Sequence, residues 1–165
     1  MLRAARFDRA VYEELRADPV APSQALVVLV LAFLAMVIGA VFFVAIGDGS
    51  PESLGFALSE PLAFWLFPAM SLFFLGGLTR AKDPALGSDR DLLITIGFAA
   101  SPGLLWLIPH PMAVVIVSGW VMASMVIASK VMLRVSLVRA VVFLLPGLMV
   151  DGLVMVLLAL LLGPG

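Results

Sequence analysis

A polar opening of some twenty residues is followed by five long apolar runs, set apart by short polar or proline-bearing segments. In residues 1–23, MLRAARFDRAVYEELRADPVAPS, the apolar positions Leu2, Phe7, Ala10, Val11 and Leu15 recur near helical spacing. Arg3, Arg6, Arg9 and Arg16 interleave with Asp8, Glu13, Glu14 and Asp18. This pattern predicts a short amphipathic helix lying on a membrane surface. Pro19 and Pro22 should end it, because proline lacks the amide proton and clashes with the preceding turn. The apolar runs occupy 25–47, 61–79, 92–108, 112–129 and 140–163, and only Asp151 interrupts them with a charge. About 20 residues, within a range of about 17–25, cross a hydrocarbon core of about 30 Å. All five runs meet that length, so the expected fold is all-α: a polytopic five-transmembrane-helix bundle over 24–165, preceded by a short N-terminal segment.

Pro109, His110 and Pro111 form a tight connection between the third and fourth runs. A single re-entrant hairpin over 92–129 is the alternative to two crossings, and charge decides between them. The ten basic residues fall before the first run (Arg3, Arg6, Arg9, Arg16), between the second and third (Arg80, Lys82, Arg90), and between the fourth and fifth (Lys130, Arg134, Arg139). The segment 48–60 has no basic residue and carries Asp48, Glu52 and Glu60; the 109–111 turn and the final LGPG have none either. Basic residues accumulate in short cytoplasmic loops. Five crossings with a cytoplasmic N-terminus place all ten on one side and the C-terminus outside. Four or six crossings, or a re-entrant third run, would split them.

Composition agrees and narrows the function classes. The chain is 63% hydrophobic and 13% charged, against about 45–50% and about 25% in soluble domains. No cysteine is present, which excludes disulfides, thiolate catalysis and cysteine-based metal sites. The net charge of −1 gives no reason to expect nucleic acid. The first apolar run exceeds the 7–15 residue core of a cleavable signal, so a retained span is expected. Eight arginines against two lysines, in a chain dominated by Ala, Val, Leu and Gly, fit a GC-rich bacterial genome. Expected localisation is a bacterial inner membrane.

The stretch Tyr12-Glu13-Glu14-Leu15-Arg16-Ala17-Asp18-Pro19, then Gln24-Ala25-Leu26-Val27-Val28, resembles the start of the first helix in bacterial Yip-domain proteins. Ile96-Gly97-Phe98-Ala99-Ala100-Ser101-Pro102-Gly103-Leu104-Leu105 is similar to the family's third helix. Trp120, Lys130 and Ser136-Leu137-Val138-Arg139-Ala140 extend the resemblance over roughly 10–163. It implies a five-helix bundle with a cytoplasmic N-terminus and brings no catalytic residue. Eukaryotic members bind Rab-type GTPases and act in vesicle traffic, and they carry a longer N-terminal cytosolic segment, which is nearly absent here. RAKDPALGSDRD stands where the family has looser, Gly-rich linkers.

Asp151 is the main candidate for chemistry. It lies 12 residues past Arg139, about 18 Å along a helix and near mid-bilayer. Intramembrane acids usually face the bundle interior or a water path. One reading is a proton or cation site. The other is a neutral carboxyl hydrogen-bonded to Ser101, Ser118 or Ser124, or to a carbonyl freed by Pro146. Ser101-Pro102-Gly103 and Pro146-Gly147 interrupt their helices, as substrate sites of transporters do, or else mark packed kinks. Small residues four apart (Gly97 and Ser101, Gly119 and Ala123, Ser124 and Ala128) should pack helices within the bundle, with a homodimer seam as the alternative. Lys130, Arg134 and Arg139 form a net-basic loop suited to anionic lipid headgroups. Trp106 fits an interfacial belt, whereas Trp120 should pack inside. His110 lacks companions for a metal site, and no cofactor is expected. The leading expectation is a non-enzymatic scaffold or accessory subunit, partnered by lipids and by other membrane proteins or itself. The rival is a small proton- or ion-coupled transporter or channel built on Asp151 and the Pro-Gly breaks.

Overall fold

In the computed structural model, which describes residues 9–47, 51–83, 86–108 and 110–162, the helices follow in the order α1 (Arg9–Ala17), α2 (Ala21–Ile46), α3 (Pro51–Lys82), α4 (Asp89–Ala99), a 3-10 helix (Ser101–Leu107), α5 (Pro111–Met132) and α6 (Leu137–Leu162). No strand occurs among the described residues. Residues 1–8, Asp48, Pro109 and the terminal 163–165 lie outside the described residues, and for Glu52 and Glu60 the backbone alone is described. Five helical stretches are long and apolar enough to cross a membrane, which makes the chain multi-pass by composition: Ala21–Ile46, Ala57–Lys82, Asp89–Leu107, Met112–Met132 and Leu137–Leu158.

Several boundaries differ from the sequence reading, each for a local reason. Pro22 does not break a helix; it sits in the first turn of α2, where its missing N–H costs nothing. The break falls at Asp18–Val20, where the Asp18 carboxylate accepts from the Val20 amide at 2.9 Å. Helix α3 starts ten residues before the expected 61, runs through Pro61 and Pro68, and takes the 54–60 segment into its first turns. The third span is composite. Pro102 and Gly103 stop the α-helix at Ala99, and the chain continues with three-residue hydrogen bonds such as Gly103 N to Ala100 O at 2.8 Å. Eleven α residues and seven 3-10 residues reach about 30 Å in total. The span therefore matches a hydrocarbon core, and the tighter winding supplies length that a 19-residue α-helix would lack.

Bilayer lipid is as apolar as leucine, so close packing rather than expulsion of apolar groups from water holds such helices together. The composite third span is the packing centre, with 67% of its window buried, against 22% for the α3 and α6 spans. Two glycines bring it against α2. A Cβ on Gly97 would stand 2.6 Å from the Ala25 carbonyl oxygen, and one on Gly39 would stand 1.9 Å from that of Trp106. Gly97 thus packs within the bundle as expected, and buried Ser124 and Ala128 do the same on α5. Gly119 and Ala123 do not: both face outward, and nothing lies within 4 Å of a Cβ on Gly119. The tryptophan expectations also reverse. Trp106 is buried, with its ring over Gly103, whereas Trp120 is half-exposed.

In α1 part of the apolar face turns to protein, while Ala10 is exposed and Leu2 and Phe7 lie outside the described residues. Tyr12 is fully buried in the main core with Leu92, Met132 and Leu133, and Val11 and Leu15 pack beside it. Every basic residue among the described ones lies at this end of the bundle, where α1, the end of α3, the start of α4, the α5–α6 turn and the start of α6 meet.

Candidate functional site

Helices α3 and α6 cross at their prolines. Pro68 in α3 offers no N–H to the Phe64 carbonyl, and Pro146 in α6 offers none to that of Val142. The crossing is tight because α6 carries glycine there. A Cβ on Gly147 would lie 2.3 Å from the Phe67 carbonyl oxygen and 2.5 Å from the Pro68 Cα. The Ser71 hydroxyl of α3 donates to the Phe143 carbonyl of α6 at 2.6 Å, beside the turn that Pro146 opens. This bond ties the two helices together one residue from the Val142 carbonyl. A groove of about 430 Å³ runs along the crossing, between Phe67, Met70 and Phe74 on one wall and Pro146, Gly147 and Val150 on the other.

Asp151 lies one turn beyond Gly147, about 6 Å along the axis, on the same inward face as Ala140, Leu144 and Gly147. It is 8% exposed, and its Oδ1 has no hydrogen-bond partner among the described residues. Of the partners expected for it, Ser101 and Ser124 are buried with hydroxyls that themselves find no partner among the described residues. The second break, Ser101-Pro102-Gly103, belongs to a different surface. The 3-10 helix packs on α2, α4 and α5, whereas α6 packs on α3 and α5. The six break and polar positions therefore do not converge on one cavity.

Arg134 and Arg139 are exposed at the α5–α6 turn, Lys130 is half-exposed one turn before it, and Ser136 caps α6 by accepting from the Arg139 amide at 3.2 Å. Arg134 adopts a left-handed backbone, φ 54°. This conformation closes the turn and leaves the three cations on one open edge. Among the described residues, no group of three His, Asp or Glu is placed to hold a metal ion. His110 caps α5 instead, its Nδ1 accepting from the Met112 amide at 3.2 Å.

A polar network at the basic end was not foreseen. Ser88 and Asp91 form a capping box at the start of α4: the Asp91 amide donates to Ser88 Oγ at 3.2 Å, and the Ser88 amide donates to Asp91 Oδ2 at 2.6 Å. The other carboxylate oxygen, Oδ1, lies 3.5 Å from Arg16 Nε of α1. The Arg16 guanidinium also donates to the Met132 carbonyl at the end of α5. Arg90 donates to the Arg16 carbonyl at 2.6 Å and to that of Asp18, closing the C-terminus of α1. The S-x-x-D spacing at 88–91 was the available signal; its link to Arg16 spans 75 residues and leaves no local pattern. Burial pushes the Tyr12 phenol above its ordinary value.

Comparison of the chain with protein-family models, with curated proteins and with solved structures finds no match.

Proposed function

We propose that the protein is a non-enzymatic scaffold or accessory subunit of a membrane complex, similar in plan to the Yip-domain proteins its sequence resembles, in a bacterial inner membrane. One observation carries this reading. Gly119 and Ala123, four residues apart on α5, form a small-residue strip that faces away from the bundle. Such strips let a second helix approach closely enough for backbone-to-backbone packing. In this chain the equivalent contacts at Gly39, Gly97 and Gly147 are filled by its own helices, so the α5 strip stands open for another chain. The N-terminus and the basic end would face the cytoplasm, with Lys130, Arg134 and Arg139 against anionic headgroups. The test is purification in mild detergent followed by mass spectrometry, comparing wild type with Gly119→Ile. A protein that accompanies the wild type and is lost from the variant supports the proposal. A lone monomer in both removes it.

The transporter reading has its own observation, the buried and unpartnered Oδ1 of Asp151 on a proline-bearing helix that packs against another. Proton or ion flux into liposomes bearing wild type or Asp151→Asn separates the two readings. Flux that disappears in the variant favours transport, and background flux in both eliminates it.

A further inference from the structure

The structure carries a second cavity, of about 280 Å³, between α2, α3 and the 3-10 helix. Its floor is set by small residues, Ala32 and Ala100, and its walls by the indoles of Trp65 and Trp106. Gly103 is what allows this shape: a Cβ there would stand 2.8 Å from the Trp106 ring and 3.3 Å from the Ala32 methyl, so the ring folds down against α2. No polar atom lines the space. An apolar cavity of about 150 Å³ stays dry and takes up benzene, and this one is nearly twice that size. The lining therefore favours an apolar occupant over water or a polar ligand.

The opening faces sideways. Val30, Phe33 and Leu34 line the cavity and are also exposed on the outer face of α2, where Leu26, Val27, Val41 and Phe42 continue the same apolar surface. The α2 lining, from Leu29 to Met36, falls in the middle of the Ala21–Ile46 span. At that depth the surrounding medium is hydrocarbon, so what reaches the mouth is an acyl chain.

We propose that this cavity is an acyl-chain site: one hydrocarbon tail of a bilayer phospholipid enters between α2 and α3 and lies against the Trp106 indole. The site is separate from the basic loop at 130–139 and does not depend on any partner protein.

The protein contains three tryptophans, and this permits a direct test. The full chain carrying Trp65→Phe and Trp120→Phe retains Trp106 alone and is placed in nanodiscs of phosphatidylcholine brominated at mid-chain. Trp106 is only 6% exposed, so bulk lipid at the protein surface does not contact it, and bromine reaches it through the cavity. The expected result is loss of most Trp106 emission relative to unbrominated lipid. Filling the cavity with Leu62→Phe or, separately, Leu29→Phe should restore the emission in whichever variant keeps wild-type helicity. A tryptophan-free chain given Phe74→Trp, at a position 70% exposed, reports that the lipid quenches. Quenching of that control with Trp106 emission unchanged would overturn the proposal. So would Trp106 quenching that persists equally in the filled variants.

Discussion

Gly147 of α6 lies so close to Phe67 of α3 that a Cβ on the glycine would stand 2.3 Å from the Phe67 carbonyl oxygen. Backbone cannot yield there as the tip of a long side chain can. Gly147→Ala should therefore cost about 1–3 kcal/mol, the range for overpacking a tight contact. Gly152, five residues on, has nothing within 4 Å of its Cβ position. Gly152→Ala should not destabilise, and helix propensity favours it by up to about 1 kcal/mol. Thermal unfolding of the two variants in one detergent gives the comparison.

Ser71→Ala removes the donor to the Phe143 carbonyl. Interhelical hydrogen bonds in membranes average about 0.6 kcal/mol, with a maximum of about 1.7. The loss should fall within that range, because in an α-helix the Phe143 carbonyl also accepts from the amide four residues on, that of Gly147. Denaturation in mixed micelles would measure the loss.

A nine-residue helix such as α1 is too short to hold itself in water. Its order depends on Tyr12 in the core and on the Arg16 and Arg90 contacts. Asp91→Ala removes both the ion pair and the capping box. The expected result is rapid amide exchange across Arg9–Ala17 with protection of α5 retained. Arg16 is about one-quarter exposed, so solvent weakens its share of the loss. Unchanged exchange in α1 would show that Tyr12 and the Arg90 contacts dock it without the Arg16–Asp91 pair.

Tyr12 also sets a pH dependence. Its phenol ionises at about 10 in an unfolded chain and higher in the folded one, because burial disfavours the charged form. Above pH 10 the unfolded chain releases a proton that the folded chain retains, so stability falls with rising pH through that window. Below pH 10 both states hold the proton and the effect is absent. Exchange protection of α1 should drop above pH 10, and Tyr12→Phe should flatten the drop.

The spans were legible because apolar length needs no partner to interpret it, and the placement of Arg80, Lys82, Lys130 and Arg139 divides the runs consistently. Which side of each span faces inward was not legible. A helix that is apolar all round gives periodicity no contrast, and Gly119 and Gly97 looked equivalent until their neighbours were known. Trp106 was misplaced because the 3-10 helix turns its ring inward over Gly103. Asp151 stands out as the single acid within the apolar runs of the sequence, but the helices that pack against its own, α3 and α5, leave no local pattern beside it. The docking of α1 depends on Arg16 meeting Asp91, a pairing that only the fold creates.

The central claim is that five crossings carry every basic segment to one face of the membrane. The absence of cysteine from the chain makes single-cysteine labelling clean. His110→Cys and Ser136→Cys each place a thiol at an exposed position, at opposite ends of α5. In sealed, right-side-out membranes, an impermeant maleimide should label the 110 position and leave the 136 position unreacted until the membrane is opened. Equal labelling of both before lysis, or labelling of 136 alone, would contradict the account.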